Sequence, residues 1–188
     1  MITYINICEK LNFVWVAPER TASRMQATIF SIFGFKINNE PVFHINKYAY
    51  THNYDERQIP HGYEIVCGAR NPYSRVVSLY ENFYKNNPAN KKNFTEFLRD
   101  VDKENFVNQI KNPLFVSRRP NYLVRFENFK EDFMNLPFFH ERMTEKQLTL
   151  MLKTDIEPRE WQSYYTEESK EIVKRLCSHH FEVWGYEK

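Results

Sequence analysis

Short runs of apolar residues alternate along the chain with stretches in which apolar residues recur at helical spacing. Three of these runs, at residues 13–17, 65–69 and 122–126, predict buried strands. Runs that do not alternate with polar residues are typical of parallel strands, because helices cover both faces of such a sheet. The pattern therefore predicts an α/β fold with a central, mainly parallel sheet flanked by helices.

Amphipathic stretches and capping residues locate the helices. The first helix follows a polar turn at residues 19–24 and has Gly34 as its C-cap. The second begins at Pro72, because proline is favoured at the first helical position. Thr144 and Thr166 are the predicted N-caps of two later helices. The remaining predicted elements are a short strand at residues 41–45 and helices at 94–101 and 105–110.

Composition and charge narrow the class of protein. Of the 188 residues, 42% are hydrophobic and 16% are aromatic, which predicts a folded core in a single domain spanning residues 1–188. A net charge of +2 is too small for a nucleic-acid-binding protein, so any anion site must be local. There is no run of about 18 apolar residues and no signal-peptide segment, so we expect no membrane association. The cysteines lack metal-ligand spacing and are expected to stay reduced in the cytoplasm; they are Cys8, Cys67 and Cys177.

The stretch after the second predicted strand carries a candidate anion site. Arg70 lies at the carboxyl end of that strand, Asn71 and Pro72 begin a helix, and Ser78 follows about two turns into it. A guanidinium fork and a hydroxyl group near a helix N-terminus are suited to a terminal phosphate group. From these residues alone, the alternative is an ordinary strand, turn and helix with a surface arginine.

The loop after the first predicted strand has a similar character. Pro18 ends the strand, Thr21 and Ser23 supply hydroxyl groups, and Arg20 and Arg24 supply positive charge where the helix begins. Backbone N–H groups at such a helix start, together with the helix dipole, favour a phosphate group. The loop lacks the G-x-x-x-x-G-K-[ST] pattern of a Walker A motif. The alternative is a helix start that Thr21 or Ser23 caps, without any ligand.

Residues 70–80 fill every fixed position of the pattern R-[DN]-P-x-x-R-x-x-S-x-[YF]. They resemble the 3′-phosphate-binding motif of sulfotransferases that use 3′-phosphoadenosine-5′-phosphosulfate (PAPS). The resemblance implies a P-loop-NTPase-like three-layer fold, with Arg70 and Ser78 as ligands of the 3′-phosphate. Similarity to the carbohydrate sulfotransferase branch extends over residues 122–133, where Glu127 is expected to be structural, and over the C-terminal residues 164–186.

The same resemblance implies a role for the loop after the first strand in binding the 5′-phosphosulfate. Counted from Arg20, the loop resembles the start of the family pattern K-T-[GA]-[ST]-[ST], with arginine in place of lysine. Counting from Pro18 would instead place the carboxylate of Glu19 at the lysine position, where it would repel the phosphosulfate. Arg20 is therefore expected to neutralise charge on the leaving phosphate oxygen. The implied ligands of the 5′-phosphosulfate are Arg20, Thr21, Ala22, Ser23 and Arg24.

The general base of the family comes from the interval between the two phosphate motifs, here residues 35–62. The stretch at residues 51–54 resembles the histidine segment of the family, so His52 is the predicted base. Imidazole titrates near neutral pH and can take a proton from a hydroxyl group. His44 is the second candidate, and a carboxylate such as Asp55 or Glu56 is the third. The family chemistry requires no metal ion.

The implied function is transfer of the sulfuryl group from PAPS to a hydroxyl group of a small-molecule or carbohydrate acceptor, which releases adenosine 3′,5′-bisphosphate. Two other functions stay open. Arginine in place of the lysine favours a PAPS- or nucleotide-binding protein with impaired turnover. A P-loop-like kinase for small molecules is the third function, but the Walker lysine and an obvious magnesium-binding acid at a strand end are missing.

Overall fold

The computed structural model describes residues 6–18, 20–37, 40–41, 59–85, 92–103, 119–152 and 160–188. Two compact units share the chain. Each unit is assembled from two separate stretches of sequence: Met1–Ala69 with Phe115–Glu157, and Arg70–Leu114 with Pro158–Lys188. The single domain over residues 1–188 stays a prediction.

The described strands of the first unit form one six-stranded sheet. They are β1 (Asn6–Cys8), β2 (Phe13–Val16), β3 (Lys36–Ile37), β4 (Glu40–Pro41), β5 (Glu64–Ala69) and β6 (Tyr122–Arg125). Their order is β4-β3-β1-β2-β5-β6. The pairs β2–β5 and β5–β6 are parallel, whereas β1–β2, β1–β3 and β3–β4 are antiparallel. It follows that β2, β3, β5 and β6 run in one direction, and β1 and β4 run in the other.

The sheet confirms the predicted α/β class and the three strands predicted from apolar runs. The antiparallel edge formed by β1, β3 and β4 was missed, because strands of two or three residues are too short to show a hydrophobic period. β4 overlaps the start of the strand predicted at residues 41–45, and the rest of that segment lies outside the described residues.

Several of the described α-helices begin or end at predicted residues. They are α1 (Ser23–Ile32), α2 (Pro72–Tyr80), α3 (Phe94–Lys103), α4 (Phe129–Met134), α5 (Glu145–Met151), α6 (Glu167–Leu176) and α7 (Ser178–Trp184). Gly34 lies just beyond α1 with a left-handed φ of 86°, and Thr144 and Thr166 begin α5 and α6 through capping boxes. The helix predicted at 105–110 lies outside the described residues. Within the ranges given above, no helix is long and apolar enough to cross a membrane.

An aromatic core lies between α1, α4 and one face of the sheet. The ring of Phe30 lies 5.0 Å from Trp15 and 4.9 Å from Phe133, measured between ring centroids. Val14 and Ile65 belong to the opposite face of the sheet and are also buried. The central strands are therefore buried on both faces, which explains their continuous apolar runs.

The second unit is helical, and its core surrounds the start of α2. Tyr73 stacks on Trp161 at 5.4 Å and meets Phe181 edge to face at 5.2 Å. A π-helical turn, Glu81–Lys85, continues α2. Two bidentate ion pairs join α3 to α6, Arg99 with Glu168 and Arg175 with Asp102.

Candidate functional site

The loop after β2 contains two residues in the left-handed backbone conformation. Arg20 has a φ of 66° and Ala22 a φ of 60°. A residue other than glycine costs about 1–3 kcal/mol in such a conformation and adopts it only where its surroundings hold it there. Ala22 also occupies the position at which the sulfotransferase pattern has glycine or alanine, the two smallest side chains.

The N-cap residue of α1 has no side chain that can cap the first turn. Ala22 is the N-cap residue, makes no capping hydrogen bond, and is followed by a first turn without acidic residues. The N–H groups of Ser23, Arg24 and Met25 therefore carry the partial positive charge of a helix N-terminus. A left-handed residue followed by a helical one also turns successive N–H groups to one side, as in anion-binding nests. Thr21 and Ser23 are therefore not the N-cap residue, contrary to the capping role that the alternative gave them.

Thr21 turns its side chain into the protein. The residue is fully buried, and its Oγ1 donates a hydrogen bond to the carbonyl oxygen of Pro18 at 2.6 Å. Its hydroxyl proton is thus used within the loop in this conformation. Arg20, Ala22 and Ser23 are half-buried, so they lie nearer the surface than Thr21.

A buried glutamine, Gln26, donates a hydrogen bond to the backbone of this loop. The Nε2 atom of Gln26 donates to the carbonyl oxygen of Thr21 at 2.6 Å, and its Oε1 accepts from Nε1 of Trp15 at 2.8 Å. Gly68 of β5 lies against the same groups, and a Cβ atom on it would lie 2.6 Å from Gln26 Nε2. Gln26 was missed from the sequence. A glycine inside the strand was the available signal, because it often marks a close approach of neighbouring groups.

Arg70 follows β5 directly and is only 7% exposed. Its Nε donates to Oγ of Ser74 at 2.9 Å, so a neighbour on α2 orients the guanidinium plane. Asn71 caps this helix, because its Oδ1 accepts from the backbone N–H groups of Tyr73 at 3.0 Å and Ser74 at 3.4 Å. Pro72 takes the first helical position, as predicted. The Arg-Asn-Pro string is thus a buried cation joined to a capped helix start.

Ser78 extends the row of side chains that begins at Arg70. Ser74 and Ser78 lie on one side of α2, because they are four residues apart in the helix. Arg70 precedes the N-cap residue and reaches that side through its hydrogen bond to Ser74. Ser78 is half-buried, whereas Ser74 is buried. The structure therefore adds Ser74 to the predicted pair of Arg70 and Ser78. Its spacing of four residues from Arg70 was the signal for it.

The second arginine of the motif has a different environment. Arg75 is buried, and its guanidinium carbon lies 5.8 Å from the ring centroid of Trp184 in α7. Burial lowers the pKa of His180 well below its ordinary value, and the charges of Arg75 and His179 lower it further. Burial raises the pKa of Cys177 to about 11. Arg75 thus connects α2, which carries the motif, with α7 near the C-terminus.

Strand β6 is joined to α4 by one buried carboxylate. Asp132 accepts from the backbone N–H of Arg125 at 2.7 Å, and from Nε and Nη2 of the same residue at 2.9 and 2.7 Å. Glu127, expected to be structural, is exposed. The hydrogen bonds in this segment assign a structural role to Asp132, which lies four residues after the turn Phe126–Asn128 that contains Glu127.

The predicted bases lie outside the described residues: His52, His44, Asp55 and Glu56. In the part of the chain that is described, no group of three or more histidine, cysteine, aspartate or glutamate residues could hold a metal ion. No protein-family model, curated protein or solved structure matches the chain. The family resemblance therefore rests on the sequence motifs alone.

Proposed function

We propose that the protein is a PAPS-dependent sulfotransferase with a P-loop-like fold, acting in the cytoplasm on a hydroxyl group of a small-molecule or carbohydrate acceptor. The observation that carries the proposal is the loop at the carboxyl end of β2. It combines two left-handed residues with an N-cap residue that makes no capping hydrogen bond. Both features favour bound anions.

The proposed donor site uses one group of residues for each end of PAPS. Arg70 and Ser78 would bind the 3′-phosphate, with Ser74 orienting the guanidinium group. The N–H groups of the first turn of α1 would bind the 5′-phosphosulfate. The side chain of Arg20 would add a positive charge to that end of the donor. Ala22, Ser23 and Arg24 are the other proposed ligands there, whereas Thr21 is buried, donates its hydroxyl to Pro18 and would support the loop from within.

The reaction needs charge stabilisation and one proton acceptor. The acceptor oxygen attacks sulfur, and a new S–O bond forms as the bond from sulfur to the 5′-phosphate oxygen breaks. The electron pair of the broken bond leaves on that phosphate oxygen, where Arg20 and the helix N-terminus would stabilise it. His52 is the proposed base that takes the proton from the acceptor hydroxyl.

A second function is a PAPS- or nucleotide-binding protein with impaired turnover. The observation that favours it is Arg20 at the position where the family pattern has lysine. Guanidinium is a planar fork, whereas ammonium is a compact point charge, so the two do not place a proton donor at the same point. Both functions share the donor site and differ only in transfer.

Calorimetry with a set of nucleotides tests the donor site. We expect adenosine 3′,5′-bisphosphate to bind more tightly than adenosine 5′-monophosphate, ATP or GTP, because only the bisphosphate has a 3′-phosphate for Arg70. Arg70→Ala should remove this preference. Arg99→Ala is the matched control, since Arg99 is a half-exposed arginine of the same unit whose partner is Glu168. Preference for ATP, or indifference to removal of the 3′-phosphate, would instead favour a kinase and refute the proposal.

A further inference from the structure

Gln26 lies at the junction of α1, β2 and the loop between them, and it is fully buried. Its amide oxygen accepts from the indole N–H of Trp15 at 2.8 Å, and its amide nitrogen donates to the carbonyl of Thr21 at 2.6 Å. An indole N–H can only donate, so the oxygen of the amide must face Trp15. This requirement turns the nitrogen of Gln26 toward the loop.

The hydrogen bond to Thr21 acts on the strained part of the loop. The carbonyl of Thr21 belongs to the peptide group that leads into Ala22, and the left-handed residues Arg20 and Ala22 stand on either side of Thr21. Fixing this peptide therefore restricts the backbone where the chain turns into α1. The hydroxyl of Thr21, which donates to Pro18 at 2.6 Å, restrains the other end of the same turn.

Gly68 leaves the space that this arrangement needs. A Cβ atom on residue 68 would lie 2.6 and 2.7 Å from the two amide atoms of Gln26 and 2.9 Å from Oγ1 of Thr21. All three distances are shorter than real contacts of a Cβ atom, so a side chain there would displace the amide or the loop. Three elements thus converge on the amide of Gln26, which is fully buried.

We infer that Gln26 is a positioning residue that holds the β2–α1 loop in its anion-binding shape before a ligand arrives. The inference rests on the proposed function, because it assigns the loop to the 5′-phosphate end of the donor. A loop that is held in advance loses little freedom on binding, so more of the contact energy appears as affinity. Gln26 does not touch the donor and acts through the backbone at Thr21 and Ala22.

The test measures separately how much each phosphate group of the ligand contributes to affinity. For each variant, the affinity ratio of adenosine 3′,5′-bisphosphate to adenosine 3′-monophosphate reports the gain from the 5′-phosphate. The ratio of the bisphosphate to adenosine 5′-monophosphate reports the gain from the 3′-phosphate. We expect Gln26→Leu to reduce the first gain by about tenfold, because a buried carbonyl of the loop loses its donor, and to leave the second unchanged.

A residue with a purely structural role would give a different result. It would lower thermal stability and weaken all three ligands together, without changing either ratio. Trp15→Phe is the milder second variant, since it keeps an aromatic ring at this position and the hydrogen bond from Gln26 to Thr21, but removes the indole N–H donor. We expect it to reduce the 5′-phosphate gain by less than Gln26→Leu does, so the inference stays testable if Gln26→Leu does not fold.

The experiment distinguishes failure of the inference from failure of the proposed function. If the wild-type protein gains affinity from both phosphates and both variants keep the full 5′-phosphate gain, Gln26 has no positioning role and the proposed function stands. If the wild-type protein gains nothing from either phosphate, the proposed function fails and the inference falls with it.

Discussion

Removing the hydroxyl of Ser74 should weaken the binding of a 3′-phosphate through Arg70. The Nε of Arg70 donates to Oγ of Ser74 at 2.9 Å, and both residues are buried, so water would not replace the lost partner. A hydrogen bond to a charged group contributes about 1.5–3 kcal/mol. Part of this free energy is recovered when the guanidinium group adopts another orientation. We therefore expect Ser74→Ala to raise the Kd for adenosine 3′,5′-bisphosphate about five- to twentyfold.

Arg70 itself should contribute more. Its side chain is 7% exposed, so solvent screens its charge little, and truncating one partner of a buried charge pair costs about 2–4 kcal/mol. We therefore expect Arg70→Ala to raise the Kd by about 30- to 700-fold. Calorimetry with adenosine 3′,5′-bisphosphate measures both variants. Ser178→Ala, which truncates an exposed serine of the same unit, is the control for Ser74→Ala.

The double variant decides whether Ser74 acts through Arg70. If it does, Ser74→Ala combined with Arg70→Ala should bind as weakly as Arg70→Ala alone, because the oriented group is already gone. The affinity for adenosine 5′-monophosphate should not change in Ser74→Ala. Additive losses in the double variant, or equal losses for both nucleotides, would refute this reasoning about the 3′-phosphate site.

Three further predictions concern other parts of the protein. Arg20→Ala should lower turnover more than it weakens donor binding, and Arg20→Lys should have a higher turnover than Arg20→Ala. Equal rates for wild type and Arg20→Ala would contradict the role given to Arg20. Burial lowers the pKa of His180, so the unfolded state binds the proton more tightly, and the free energy of unfolding should fall as the pH drops below about 6.5. Urea unfolding at neutral pH and at about pH 5 measures this, and His180→Gln should reduce the loss while the exposed control His140→Gln should not. Asp132→Asn should destabilise the protein by about 1–3 kcal/mol in urea unfolding, because the carboxylate accepts three hydrogen bonds from Arg125; an unchanged midpoint would argue against that role.

The parts of the fold that could be predicted are those with strong local signals. The central strands were predictable because they are buried on both faces and carry continuous apolar runs. Pro72, Thr144 and Thr166 marked helix starts because their capping preferences depend on neighbouring residues. The antiparallel edge of the sheet was not predictable, since β3 and β4 have two residues each.

The candidate site could likewise be predicted only where its signal is local in the sequence. Arg70 and Ser78 came from a motif whose spacing is local to one helix. Gln26 became visible only in the structure, because its partners depend on how α1 packs over β2 and β5. The role of Arg75 next to Trp184 likewise depends on a contact between residues more than one hundred positions apart in the chain.

We propose that the protein transfers a sulfuryl group, and a radiolabelled donor detects this transfer. Purified protein is incubated with PAPS radiolabelled in the sulfuryl group and a panel of hydroxylated small molecules and carbohydrates, with Arg70→Ala as the matched inactive control and Arg99→Ala as the matched active one. We predict that the label moves to at least one acceptor with wild type and Arg99→Ala, and that Arg70→Ala transfers far less. Tight binding of adenosine 3′,5′-bisphosphate without transfer to any acceptor would contradict the claim and favour the impaired binding protein.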